Sequence, residues 1–193
     1  MEKALSNITV LDLTRVLAGP YCTMMLADYG ANVIKIEMPG KGDDTRAMGP
    51  KKNDYSMYYA YVNRGKKGIT LNLKSEEGKK LFLEMVKKAD VVVENYRPGV
   101  MDKLGVGYDV LKEVNDQIIY AAVSGFGCYG PKYKRPGYDI IAQATSGLMS
   151  PAAACRQCHG RRARRHEPHH RHPHGAQRPH RHRPRPARGR VAR

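Results

Sequence analysis

Short apolar runs alternate with amphipathic stretches along the first 150 residues. ITVLDL at residues 8–13 is rich in β-formers and bounded by turn residues, which predicts a strand. In GPYCTMMLADYGA, residues 19–31, Pro20 suits a first helical turn and Gly30 a stop just past the last, so a helix is predicted. NVIKIE at 32–37 predicts a second strand, and MPGKGDDTRAMGP at 38–50 a loop rich in Gly and Pro. DYSMYYAYVN predicts a short aromatic helix at 54–63, and GITLNL a third strand at 68–73. KSEEGKKLFLEMVKKA at 74–89 is the clearest helix. It has Ser75 as N-cap, Glu76 and Glu77 in the positive first turn, and Lys87 and Lys88 near the negative end. Leu81, Phe82, Met85 and Val86 form its apolar face. DVVVEN at 90–95 is a continuous apolar run, expected of a strand covered on both faces. GVMDKLG (99–105) and YDVLKEVN (108–115) predict short helices, QIIYAAVSGF (117–126) a fifth strand, and GYDIIAQATSGLM (137–149) a further helix. Strands alternating with helices predict an α/β fold, a parallel sheet of the doubly wound kind flanked by helices. The pattern leaves the strand order open and shows no internal repeat.

Charge divides the chain in two. Its 193 residues carry a formal net charge of +16. The segment 151–193 has thirteen Arg, one acid (Glu167) and all eight His, a net +12, which leaves +4 for residues 1–150. That segment uses nine residue types and lacks Leu, Ile, Phe, Tyr, Met and Lys. It cannot bury a core and is expected to be disordered, so the division expected is a domain at 1–150 and an Arg/His/Pro-rich tail at 151–193. The N-terminus reaches Asp12 before a long apolar run forms, unlike a secretory signal. Charges interrupt every apolar stretch short of a membrane span. With four Cys and no export signal, the expected setting is the cytoplasm, with reduced thiols.

In open α/β sheets ligands bind beyond the carboxyl ends of the strands. Those ends here carry Thr14-Arg15-Val16-Leu17-Ala18-Gly19-Pro20, Met38-Pro39-Gly40-Lys41-Gly42, Asn72 with Lys74, Asn95-Tyr96-Arg97-Pro98-Gly99, and the loop from Gly125 to Pro131. Helix N-termini with Arg and Lys nearby would suit a phosphate-bearing ligand; ordinary turns between elements are the alternative. Gly125, Gly127 and Gly130 spell G-x-G-x-x-G, but Pro131 and a basic loop follow instead of a helix, so a close backbone approach is expected and a dinucleotide site is not. Residues 1–150 contain no His, which excludes Ser–His and Cys–His nucleophiles there and leaves a carboxylate as the natural nucleophile for acyl transfer. Cys22 and Cys128 are further candidates, although Cys22 is expected to be a buried structural thiol on an apolar helix face.

Four blocks carry a resemblance: VLDLTRVLAGPYCTMMLADYGANVIKIE, NRGKKGITLNLKSEEG, DVVVENYRPGVMDKLGVGYDVL and SGFGCYGPKYKRPGYDIIAQATSG. Together, from Leu5 to Met149, they resemble the family III CoA-transferases, which include formyl-CoA, carnitine and bile-acid-inducible enzymes. The resemblance implies a Rossmann-like large domain, a smaller second domain and interlocked homodimers. It implies no permanently bound cofactor, with coenzyme A and acyl-CoA as substrates and a carboxylic acid as acceptor. In that family an Asp attacks the donor thioester to give a mixed anhydride, and the CoA thiolate then forms an aspartyl-CoA thioester. Carried over by motif position, the coenzyme A contacts are Val16, Leu17, Leu71, Asn72, Leu73, Lys74, Asn95, Tyr96, Arg97, Lys103 and the Arg135-to-Asp139 segment with Arg135, Tyr138 and Asp139. Leu17 and Met38 stand where formyl-CoA transferases carry Gln and Arg.

The family's catalytic Asp follows about twenty residues past the position of Gly147, and this sequence has no Asp after Asp139. The chain itself is therefore expected to be inactive and no catalytic residue is assigned. In place of that segment stands the tail, where Cys155-Arg-Gln-Cys158-His159 has the spacing of a haem attachment site and ligand types for zinc. The Arg-rich run would bind nucleic acid through phosphates, which makes a non-enzymatic basic protein the alternative function. The expectation for the tail itself is a shifted reading frame, since its residues are those of GC-rich codons.

Overall fold

The computed structural model of the chain describes residues 3–149. The six helices and five of the seven strands in them follow the predicted order, while a short hairpin not predicted stands at residues 51–56 and delays the start of the predicted 54–63 helix to Met57. β1 (Thr9–Asp12) leads to α1 (Ala18–Asp28), which ends before Gly30 at φ +103°, a conformation glycine adopts freely. β2 (Asn32–Glu37) has the predicted bounds. The following loop contains a short 3-10 turn, Asp44–Ala47. A hairpin then pairs β3 (Lys51–Lys52) with β4 (Tyr55–Ser56). Asn53 and Asp54, both at positive φ, make the two-residue turn such a hairpin requires. α2 (Met57–Val62) is capped by Ser56, whose hydroxyl accepts from the Tyr59 amide. β5 (Lys67–Thr70) stops three residues short of the prediction because the chain turns at Asn72 to enter α3 (Glu76–Val86). The Ser75 hydroxyl caps that helix by accepting from the Gly78 amide. β6 (Val91–Glu94), α4 (Val100–Lys103), α5 (Tyr108–Val114), β7 (Ile119–Ala122) and α6 (Asp139–Thr145) complete the described residues.

The five long strands form a sheet of order β5-β2-β1-β6-β7, with all neighbours parallel. The chain winds outward one way from β1 to β2 and β5, then returns to lay β6 on the other side of β1. This is the doubly wound arrangement, with its reversal between β1 and β6. Because side chains alternate along a strand, each strand feeds two cores. Leu11, Leu13 and Val92 pack with Phe82, Val86, Met101, Val106 and Leu111 on one face. Val10, Val33, Ala31 and Val93 pack on the other, against Leu26 and Ala27 of α1.

Two expectations about helix faces are corrected. In α3 the buried side is Gly78, Phe82 and Val86, one residue per turn, with Leu83 and Met85 flanking it. Leu81 lies a quarter-turn away and is 54% exposed. In α1 the buried residues are Gly19, Pro20, Thr23 and Met24, so Cys22 falls on the outer side and is exposed, as is Cys128. The close backbone approach expected at the glycine loop is present: a Cβ on Gly125 would overlap the backbone of Gly137, while Gly127 and Gly130 sit at positive φ in the turns beyond. No described helix is long and apolar enough to cross a membrane. The haem, zinc and nucleic-acid readings of residues 151–193, and their expected disorder, lie outside the described residues.

Candidate functional site

Four strands deliver their carboxyl ends to one cleft. Its volume is about 330 Å³. Leu13 and Arg15 enter it after β1, Ile36, Glu37, Met38, Gly42 and Asp43 from β2 and its loop, and Leu71 to Lys74 after β5. Tyr96, Val100 and Leu104 close it after β6. The walls are mainly apolar, and the cations among them are Arg15 and Lys74. The Arg15 guanidinium lies 4.9 Å from the centre of the Tyr96 ring, a cation–π contact at the cleft.

Beneath the cleft lies a buried polar network. Asp12, fully buried at the end of β1, accepts from the Thr14 amide (2.9 Å) and hydroxyl with one oxygen. Its other oxygen accepts from the Thr23 hydroxyl (2.6 Å) and from Lys66 Nζ (2.9 Å). Lys66 Nζ also donates to the Pro20 carbonyl (2.9 Å) and to Asn63 Oδ1 (3.0 Å), so its three protons are matched. Burial pushes the Lys66 ammonium below its usual range, against the pull of Asp12. Lys35, equally buried, donates to the Thr14 carbonyl (2.9 Å) and pairs with Asp43 Oδ2 at 3.0 Å. That contact is an ion pair by distance and lacks hydrogen-bond geometry at the oxygen.

The turn above this network is held unusually tightly. Asp43 Oδ1 accepts from the Val16 amide at 3.2 Å. The Asn95 carboxamide accepts from the Arg15 amide (2.8 Å) and donates to the Arg15 carbonyl (2.6 Å). Between these anchors Val16 takes φ +68°. For a β-branched residue that is strained backbone, worth about 1–3 kcal/mol, and it persists only where the surroundings impose it.

A second cluster stiffens the β2 loop. Glu37 accepts from the Asp43 amide (2.8 Å), from Arg46 Nε (3.0 Å) and Nη2, and from the Tyr59 hydroxyl (3.1 Å). Burial pushes the Glu37 carboxyl up, but Arg46 and the Asp43 amide outweigh it and hold it low. At Asp43 burial likewise opposes charge, and the Thr45 amide with Lys35 wins. Both groups thus contribute stability that is present above the ordinary carboxylate range, about pH 4.5, and lost as pH falls through their lowered native values. The urea midpoint should hold from pH 7 to about 5 and fall below about 4, and Glu37→Gln should flatten that fall. Glu94 has the opposite sign: burial raises its carboxyl, although the Tyr96 amide and Tyr120 hydroxyl both donate to it.

The sequence-assigned residues divide into three groups. Leu71, Asn72, Leu73, Lys74 and Tyr96 meet in the cleft. Val16 and Leu17 stand exposed on the turn beside it, and Asn95 lies behind, engaged on Arg15. Arg97, Lys103, Arg135, Tyr138 and Asp139 are exposed and do not line the cleft. Asp139 accepts instead from Gln143 one turn along α6. Sequence reasoning named the loop holding Arg15 but not the residue as a cleft cation, and it missed Glu37 and Asp43. The available signal was local for both: Glu37 is the acid that closes β2, and Asp43 precedes Asp44-Thr45 as an N-cap residue. Glu37 occupies the place where dinucleotide folds put their ribose-binding acid, yet both its oxygens are already taken, which argues against that use.

Known proteins are similar to this chain in sequence and in fold. The model of CoA-transferase family III matches residues 5–162, running past Met149, where the resemblance in the sequence was expected to stop. An acetyl-CoA:oxalate CoA-transferase of Acetobacter aceti is 56% identical over 143 residues, covering 74% of this chain and 37% of its own. The human succinyl-CoA:glutarate CoA-transferase is 50% identical over 148 residues, covering 76% and 34%. A crystal structure of a CAIB/BAIF family protein from Brucella suis superposes with a TM-score of 0.72 at 42% identity, over 77% of this chain and 40% of that one. The chain thus spans a little over a third of the length of the relatives it matches.

Proposed function

The chain belongs to CoA-transferase family III, and on that premise we propose that its described residues hold the nucleotide end of coenzyme A or an acyl-CoA for transfer of CoA to a carboxylic acid. The observation that carries this is the cleft at the sheet's reversal, apolar in its walls and bearing Arg15 and Lys74. Arg15 and Lys74 face the phosphates, Asn72 offers polar contacts, and Leu71, Leu73, Leu104 and Tyr96 take the flat base. Arg97 and Lys103, exposed after β6, add positive charge outside the cleft wall. Val16 and Leu17 present apolar surface for the pantetheine arm as it leaves. The assignment of Arg135, Tyr138 and Asp139 rests on the family resemblance alone. The relatives act on oxalate, glutarate and mesaconate at 56%, 50% and 48% identity to this chain, so we place the choice of acid outside the shared residues.

Titration calorimetry tests the proposal. Coenzyme A should bind, more weakly at high salt, and pantetheine without the nucleotide should bind far less well. Arg15→Ala and Lys74→Ala should each weaken coenzyme A by about tenfold, as loss of a charge-assisted contact implies. No binding by the wild-type chain, or equal affinity for pantetheine, would refute the reading.

A further inference from the structure

We propose that Asn95 acts on the bound coenzyme through the backbone of Thr14–Val16 and not by touching the ligand. This rests on the coenzyme A reading above. The turn is held from three strands at once, by the end of β1, by β2 and the loop after it, and by the residue that follows β6. Its Thr14 amide is held by Asp12, its Thr14 carbonyl by Lys35, its Arg15 amide and carbonyl by Asn95, and its Val16 amide by Asp43. A backbone segment on a surface would ordinarily give these groups to water. Here side chains take each of them, and Val16 is forced to φ +68° as a result. What the anchoring fixes is the direction of Arg15, whose guanidinium is set 4.9 Å over the Tyr96 ring in the cleft. Both ends of the Asn95 carboxamide are engaged on Arg15, and Asn95 does not line the cleft. It is a positioning residue. By presetting Arg15 it spares the ligand the cost of ordering that side chain and its turn on binding.

The test is a double-mutant cycle with a readout that needs no ligand. In the full chain, Asn95→Ala should weaken coenzyme A about tenfold by calorimetry. In an Arg15→Ala background the same substitution should change affinity less than about twofold, because the group it positions is gone. Amide hydrogen exchange at Arg15 should accelerate at least about tenfold in Asn95→Ala, with the amides of β1 and β6 unchanged. If Asn95→Ala does not fold, Asn95→Ser is read the same way. Equal affinity losses in the two backgrounds would mean that Asn95 touches the ligand, and the proposal falls. Unchanged exchange at Arg15 overturns it too. A wild-type chain that binds no coenzyme A overturns the underlying functional reading together with this use of the turn, whereas intact binding with additive losses overturns this inference alone.

Discussion

Asp12→Ala should destabilise the fold by about 3–5 kcal/mol, the loss typical of removing one partner of a buried ion pair. The carboxylate is wholly buried, and four donors converge on it: the Thr14 amide and hydroxyl, the Thr23 hydroxyl and Lys66 Nζ. Without it Lys66 retains the Pro20 carbonyl and Asn63, but it is left as a buried cation with no carboxylate in direct contact, the charges of Asp43 and Lys35 reaching it only from further off and with opposite sign. Burial already pushes that ammonium down, so in the Asp12→Ala protein it should release its proton at a lower pH still. The sign follows. A native-state Lys value below the unfolded one makes stability rise with pH, so the variant should recover part of its loss as pH rises toward 9. Urea unfolding at pH 7 and pH 9 measures both effects. Adding Lys66→Met should restore stability, since replacing both partners by apolar groups costs much less than orphaning one. A loss under about 1 kcal/mol at pH 7 would show that water reaches the site and that the network is not buried in solution.

Gly78→Ala should also destabilise, against the helix propensity scale. Position 78 lies in the first turn of α3, where alanine ordinarily gains about 1 kcal/mol over glycine. The backbone forbids that gain here. A Cβ on Gly78 would overlap the carbonyl of Asn72, and that carbonyl is fixed by the Ser75 amide (3.1 Å) and hydroxyl (3.0 Å). Relief requires the Asn72–Lys74 turn to move outward, and that turn is one wall of the cleft. Overpacking of this kind costs about 1–3 kcal/mol, so a net loss of about 2 kcal/mol is expected once displacement of the cap is included. Coenzyme A affinity should fall with it by at least about tenfold, because Asn72 and Lys74 shift together. Lys80→Ala, on the exposed side of the same helix, should leave both quantities nearly unchanged. If Gly78→Ala instead raises the urea midpoint, the contact between α3 and the cleft wall is looser than described.

Local chemistry made much of this fold readable. Ser75 caps its helix, Gly30 stops α1 and β2 spans the predicted residues, because each depends on neighbours close in sequence. The Asn53-Asp54 hairpin was equally local and was hidden by the run of tyrosines beside it. The cleft was legible as a set of loops and, through the family resemblance, in the lining residues Leu71 to Lys74 and Tyr96, whereas the buried side chains that support it were not. Lys35 shows why. In the strand NVIKIE a lysine reads as the solvent-facing member of an alternation, yet it is buried to 1% exposure. Its reasons lie elsewhere in the chain, in the Thr14 carbonyl and the carboxylate of Asp43. Asn95 is the same case, 80 residues from the backbone it clamps. Leu81 errs the other way, since an apolar residue one position off the buried face of a helix is exposed however well it fits a pattern.

The central place of β1 in the sheet bears on the order in which the protein can form. Among the described strands β1 is synthesised before the others, and its neighbour β2 follows within about twenty residues, so Thr9 can pair with Asn32 early. Its other edge waits for Val91, some eighty residues later. Until β6 arrives, Asn95 is absent and the amide and carbonyl of Arg15 have no side chain to hold them, although Thr14 and Val16 on either side already do. The cleft can therefore be completed only when its Tyr96, Val100 and Leu104 wall is brought in by β6 across a long loop, a step of the slow kind that non-local parallel pairing imposes. A ligand that needs the finished cleft can reward only chains that have completed it, so its presence during synthesis or refolding would shift the balance toward completed chains without guiding the earlier steps.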